Sequence, residues 1–156
     1  MIVEAPLPHK ELAKLARVFP YSSRGSRSSI RVVKMHDDEP MYQPNTIQIV
    51  AGDTIEWEND GQVSHSVSDD ATRAWQAVDA LHPPGSQPFN SGAILPGGRF
   101  RYTFTSPGRY RYFDLAHEIN RMVGEVIVAP RAPNANSESI RNADGLAADS
   151  GSAIAE

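Results

Sequence analysis

Residues 110–128 read YRYFDLAHEINRMVGEVIV and contain two strand-like runs joined by a short loop. On both sides of the loop, apolar and polar residues alternate, which is the period of a β-strand. Between the runs, Asp114, His117 and Met122 offer a carboxylate, an imidazole and a thioether. The stretch therefore predicts two strands connected by a loop that carries candidate metal ligands.

Similar strand-like runs occur upstream of this loop and once after it. They are IRVVKMH (30–36), TIQIV (46–50), DTIEWEN (53–59), SHSVSD (64–69), FRYTF (100–104), RYRYF (109–113) and MVGEVIVAP (122–130). Turns rich in Gly, Pro and Asn separate most of them, whereas residues 70–97 are less regular and contain a helical pattern over 71–80. Many short strands with such turns predict an all-β domain, either a sandwich or a barrel.

The two ends of the chain have a different character from the strand-rich part. Residues 8–19 place Leu12, Leu15 and Val18 at helical spacing behind Pro8, which predicts a short amphipathic helix. A polar linker follows, and residues 131–156 are rich in Ala, Ser, Asn, Asp and Gly, a composition typical of a disordered tail. We expect an extension over 1–28, one domain over 29–130 and a tail over 131–156.

Composition excludes some functional classes. The net charge is −4, so nucleic acid is not an expected partner, because phosphate binding requires a basic surface. The chain has no cysteine, which rules out thiolate chemistry and disulfides. It also has no apolar run long enough to span a bilayer, and its N-terminal residues do not resemble a signal peptide.

A second histidine extends the candidate site beyond the loop. His65 follows the turn NDGQ, and loops at one end of a sandwich cluster together, so His65 is expected near Asp114, His117 and Met122. Nitrogen, oxygen and thioether donors favour copper, with zinc as the alternative metal. The spacing alone also fits solvated histidines, a surface acid and a core methionine.

The chain resembles the cupredoxins, the plastocyanin and azurin family of blue copper proteins, over about residues 29–130. In the last loop the match includes Tyr110, Tyr112, His117, Met122, Gly124, Val126 and Val128. Upstream it includes Pro44, Ile47, Val50, Gly52, Asp53, Trp57, Asn59 and the His65-Ser66-Val67 run, followed by ILPGGRFRYTFTSPGRYRY. The resemblance implies an antiparallel Greek-key β-sandwich and a one-electron carrier, not an enzyme. It implies an unidentified redox partner protein and a location outside the cytoplasm.

The main departure from the family pattern is Asp114, which stands at the position of the family's cysteine ligand. A carboxylate cannot give the blue charge-transfer band, and it favours Cu(II) over Cu(I). Arg121 is a second departure, since it adds a positive charge immediately before Met122. We therefore expect a non-blue Cu(II) site at His65, Asp114, His117 and Met122. The alternatives are a decayed site on a metal-free binding module, and an open copper position that performs catalysis.

The remaining candidates are predicted to be structural or solvated. His36 lies in the acidic turn KMHDDEP, and His9 and His82 lie in loops containing proline, so all three are expected in solvent. Trp57 is expected in the core, and Asn59 is expected to hold the loop of the first histidine, as the resemblance implies.

Overall fold

The computed structural model describes residues 27–38 and 41–132. The predicted helix over 8–19 and almost all of the predicted tail lie outside these residues. The predicted limits of the domain, 29 and 130, stay predictions. At the end of the described part, the Arg131 side chain donates hydrogen bonds to the Ala51 carbonyl oxygen (2.6 Å) and the Asp53 carboxylate (2.9 Å).

Seven strands account for most of the described chain. They are β1 (Ile30–His36), β2 (Met41–Gln43), β3 (Thr46–Val50), β4 (Thr54–Asn59), β5 (Arg99–Thr103), β6 (Gly108–Phe113) and β7 (Val123–Ala129). Two short 3-10 helices cover Ala77–Asp79 and Glu118–Asn120. The helical pattern over 71–80 thus corresponds to a single short turn. The predicted strand over 64–69 forms only isolated bridges, at His65 and Ser68.

The strands form two sheets, in the orders β2-β1-β4-β5 and β3-β7-β6. The predicted all-β sandwich is confirmed. Its sheets are mixed and not purely antiparallel, because β1 pairs with β4 and β3 pairs with β7 in parallel. An alternating sequence predicts a strand and its buried face, but it does not fix the direction of the partner strand. No helix in the described part of the chain is long and apolar enough to cross a membrane.

The core between the sheets is dominated by aromatic side chains. Trp57 is fully buried, as predicted, and its ring lies between 5.3 and 6.2 Å from the rings of four neighbours. These neighbours are Phe89, Phe100, Phe104 and Tyr112. Tilted and edge-on aromatic contacts of this kind stabilise a core beyond the area that they bury.

The parallel pair β1 and β4 determines which loops meet at the candidate site. Met35 pairs with Asn59, so the chain leaves both strands at the same end of the sheet. The turn after His36 and the loop that leads to His65 therefore lie side by side. A contact between them joins residues that are distant in sequence.

Candidate metal centre

The loop between β6 and β7 is closed by its own backbone. The Asp114 N–H donates to the Met122 carbonyl oxygen (3.1 Å), and the Met122 N–H donates to the His117 carbonyl oxygen (3.2 Å). Arg121 has a left-handed conformation with φ 66° and donates its N–H to the Glu118 carbonyl oxygen (2.8 Å). The loop therefore returns on itself and holds Asp114 and His117 on one side of the sandwich end.

His65 is held by a neighbouring segment, not by a regular strand. Its backbone exchanges two hydrogen bonds with Ile94, at 3.0 and 2.7 Å. The Asn59 side-chain amide donates to the carbonyl oxygens of Val63 and Ile94, each at 2.8 Å. Asn59 thus ties both segments that position His65, which agrees with the role that the resemblance implies.

The side chains of His65, Asp114 and His117 converge. One potential ligand atom from each lies within 4.8 Å of the other two. Nδ1 of His65 is 2.9 Å from Asp114 Oδ2, and Nδ1 of His117 is 3.2 Å from Asp114 Oδ1. His65 and Asp114 are buried, whereas the His117 side chain is 25% exposed. The three residues form a group with a single half-open side at His117.

These donors fit a bound divalent metal ion. Nδ1 of His117 is buried and has no hydrogen-bond partner within the described ranges, despite its closeness to Asp114. Two donors at ordinary zinc-ligand bond lengths lie about 2.9–3.4 Å apart when the angle at the metal is between a right angle and tetrahedral. The nitrogen-to-oxygen separations of 2.9 and 3.2 Å, which involve the two different oxygens of the Asp114 carboxylate, lie within that range and are also hydrogen-bond distances.

Asp114 also stabilises the loop without a metal. Its carboxylate accepts backbone N–H groups from Ser66 (2.9 Å), Ala116 (2.8 Å) and His117 (3.2 Å). The Ser66 hydroxyl lies 3.4 Å from Oδ1. The carboxylate therefore joins the His65 segment to the His117 loop, in addition to any role as a ligand.

The fourth sequence candidate, Met122, lies directly beside these residues through its backbone. Its side chain is fully buried and packs in the hydrophobic core cluster. Burial of a methionine in a core is its usual role. The assignment of Met122 as a ligand stays a prediction.

Sequence reasoning missed Asp37, which contacts the site from the end of β1. Its Oδ1 lies 3.0 Å from Nε2 of His65, and its carboxylate accepts the backbone N–H groups of Gln62 and Val63. The hydrogen bond from Gln62 holds the pKa of Asp37 below its usual range, so the group is ionised at neutral pH. The acidic turn was visible in the sequence, but its closeness to His65 depends on the parallel pairing of β1 and β4.

Glu118 is a second acid at this end of the sandwich. It is buried, and its carboxylate accepts the backbone N–H groups of Trp75 (2.7 Å) and Gln76 (2.8 Å). Glu118 directly follows His117, so it fastens the segment around Trp75 to the loop between β6 and β7. The Trp75 side chain itself is 77% exposed.

The other histidines do not belong to the group of three. His36 was expected in solvent, but it is partly buried, and its buried Nε2 has no hydrogen-bond partner among residues 27–38 and 41–132, so that expectation was wrong. His82 was expected in solvent, but its side chain is only 29% exposed and its Nδ1 lies 3.6 Å from Asp69 Oδ2. The expectation was wrong because the loop of His82 packs against the segment that follows His65. His9 lies outside the described residues.

Comparisons with known proteins agree with this architecture. A family model described as copper binding proteins, plastocyanin/azurin family, matches residues 30–129. Plastocyanin from Prochlorothrix hollandica is 32% identical over 98 residues, which cover 62% of this chain and 70% of that protein. Plastocyanin from Vicia faba is 30% identical over 87 residues, covering 56% and 86% respectively. The solved structure of a purple cupredoxin from Nitrosopumilus maritimus aligns with a TM-score of 0.50 and 25% identity, over 63% and 98%.

Proposed function

Because the chain belongs to the plastocyanin/azurin family of copper-binding proteins, we propose that it binds one Cu(II) ion through His65, Asp114 and His117. The observation that carries the proposal is the buried, unpartnered Nδ1 of His117, within the described part of the chain, facing the Asp114 carboxylate and the ring of His65. Met122 is the proposed weak fourth ligand, and zinc is the alternative metal.

The donor set determines the properties of such a site. Two imidazoles and a carboxylate favour Cu(II), so we expect a lower reduction potential than that of a blue thiolate site and no intense blue colour. Bound copper would supply a one-electron Cu(II)/Cu(I) couple. Relatives in this family are electron carriers and not enzymes, which agrees with the expectation from the sequence.

The biological role that follows is copper binding, with electron transfer to a partner protein as the family role. His117, whose side chain is partly exposed, is the ligand through which a partner would approach the site. Residues 29–130 hold eight Lys or Arg and thirteen Asp or Glu. This negative charge favours a basic partner, because opposite charges steer association. We propose a compartment outside the cytoplasm, in line with the plastocyanin relatives.

A Cu(II) titration of the metal-free protein tests the proposal directly. We expect one tight equivalent, no intense blue band, and an EPR spectrum with the wide copper hyperfine splitting of nitrogen and oxygen ligands. His65→Ala and His117→Ala should each abolish tight binding. His36→Ala is the matched control, since His36 lies near the same end of the sandwich but outside the group, and it should bind like the wild type. Equal losses in all three variants would refute the assigned site.

A metal-free binding module is the second candidate, and the hydrogen bonds of Asp114 favour it. They connect the His65 and His117 segments without any ion. In that case the titration would give no stoichiometric binding, and Cu(II) would not raise the melting temperature. A ligand that binds only the folded state must raise it, so this second measurement is independent of colour.

A further inference from the structure

The ring of His65 lies between two carboxylates. Nδ1 faces Asp114 at 2.9 Å, and Nε2 faces Asp37 at 3.0 Å. Asp37 comes from the turn after β1, and its side chain is 26% exposed, whereas the His65 side chain is fully buried. A carboxylate accepts hydrogen bonds and does not donate when ionised, so the proton between Asp37 and His65 resides on Nε2.

We infer that Asp37 is the positioning residue of the metal site: its contact with Nε2 fixes the His65 ring so that Nδ1 points at Asp114, where the ion would bind. The inference rests on the proposed function. A metal-binding histidine typically donates its other ring N–H to a carboxylate or carbonyl, which sets the tautomer and makes the ligand more basic. An ionised Asp37 also adds negative charge next to the ligand, which stabilises Cu(II) more than Cu(I).

Gly61 makes the contact sterically feasible. A Cβ built on residue 61 would overlap Oδ1 of Asp37 and lie 2.5 Å from its Cγ. The Gly61 backbone has no positive φ, so alanine fits its conformation without strain. Gly61→Ala should therefore displace the carboxylate from His65 and keep its charge. Because Gly61 has no side chain, the Asp37 carboxylate has room to contact His65.

Three variants separate contact from charge. Asp37→Asn removes the charge and keeps an oxygen that can accept from the backbone. Gly61→Ala keeps the charge and breaks the contact. Asp38→Asn is the matched control, because it removes a charge from the same turn at an exposed side chain. The measurements are the Cu(II) dissociation constant, the reduction potential of the copper-loaded protein and the melting temperature of the metal-free protein.

We expect Asp37→Asn and Gly61→Ala each to weaken Cu(II) binding by about 10- to 100-fold, the usual effect of losing such a partner. Asp38→Asn should change binding less than twofold. If Cu(I) binding is unchanged, a tenfold loss for Cu(II) raises the potential by about 59 mV, a shift that a general loosening of the fold would not produce. The double variant should bind no more weakly than the worse single variant, since the two substitutions act on the same interaction between Asp37 and His65.

Other results would overturn the inference. If the Cu(II) dissociation constants of Asp37→Asn and Asp38→Asn agree within twofold, Asp37 acts only as one of several surface charges. Wild-type binding by Gly61→Ala would show that the contact with His65 is dispensable. A lower affinity with an unchanged potential and a lower melting temperature would assign Asp37 a purely structural role. Absence of Cu(II) binding in the wild type would instead refute the proposed function itself, and the inference with it.

Discussion

Replacement of Asp114 by alanine in the metal-free protein tests how much of the fold depends on this side chain. The fully buried carboxylate lies within 3.2 Å of four donors: the N–H groups of Ser66, Ala116 and His117, and Nδ1 of His65. Each donor left buried without an acceptor costs about 1–3 kcal/mol. The Ser66 N–H and the His65 ring are buried, whereas the other two donors regain water in part. We therefore expect the two buried donors together to cost about 2–6 kcal/mol in the free energy of unfolding.

Urea unfolding at neutral pH measures this loss, and two further variants make it specific. Asp114→Asn keeps one acceptor oxygen and should lose about half as much. Asp38→Ala removes an exposed acid and should change stability by less than about 0.5 kcal/mol. A loss below 1 kcal/mol for Asp114→Ala would mean that water replaces the carboxylate, and the argument that Asp114 closes the loop without metal would fail.

Four more substitutions give distinct outcomes. Gly124→Ala should lose about 1–3 kcal/mol in urea unfolding, because its Cβ would lie 2.5 Å from the Oη of buried Tyr112; unchanged stability would mean that this ring moves freely. Glu118→Ala should speed hydrogen exchange at the Trp75 and Gln76 amides and leave the β6–β7 ladder protected, and equal acceleration throughout would contradict this. Burial raises the pKa of Asp69 to about 6, so folding favours its protonated form, and the contribution of Asp69 to stability should fall as the pH rises from about 4 to 6. Asp69→Asn should then be more stable than the wild type at pH 7 and equal to it near pH 4, as judged by melts at both pH values. Asp114→Cys should turn blue with Cu(II), and a colourless copper-loaded variant would show that the loop no longer holds the geometry of a blue site.

The strands and their buried faces could be predicted because successive side chains of a strand point to opposite faces of the sheet. A strand with one buried face therefore alternates between apolar and polar residues. The runs at 30–36 and 46–50 match β1 and β3 residue for residue. Strand β2 was not predicted, because it has only three residues and so short a run shows no recognisable alternation. The predicted strand at 64–69 failed for the opposite reason. It alternates well, but its neighbours offer only isolated bridges to Ile94, Asn90 and Phe113, so no continuous ladder forms.

The part of the candidate site that depends on ligand types and their spacing could be predicted from the sequence. The part that depends on the direction of the strands could not. His65, Asp114 and His117 do converge, although Asp114 is 49 residues from His65. Asp37 could not be found, since an antiparallel pairing of β1 and β4 would put its turn at the far end of the sandwich from His65. The parallel pairing reverses this placement and changes an ordinary acidic turn into part of the site.

The hydrogen bonds of Asp114 bear on both candidate functions at once. Because the carboxylate connects the His65 and His117 segments, the loop between β6 and β7 is ordered before any ion binds. The free energy of metal binding is then not reduced by the conformational entropy of ordering this loop. An ion would replace the contact between His65 Nδ1 and Asp114 Oδ2, while the three backbone donors to Asp114 stay in place. A fold that is stable without metal is therefore no argument against copper. The unpartnered Nδ1 of His117, judged over the described residues, is the feature that a closed, metal-free loop leaves unexplained.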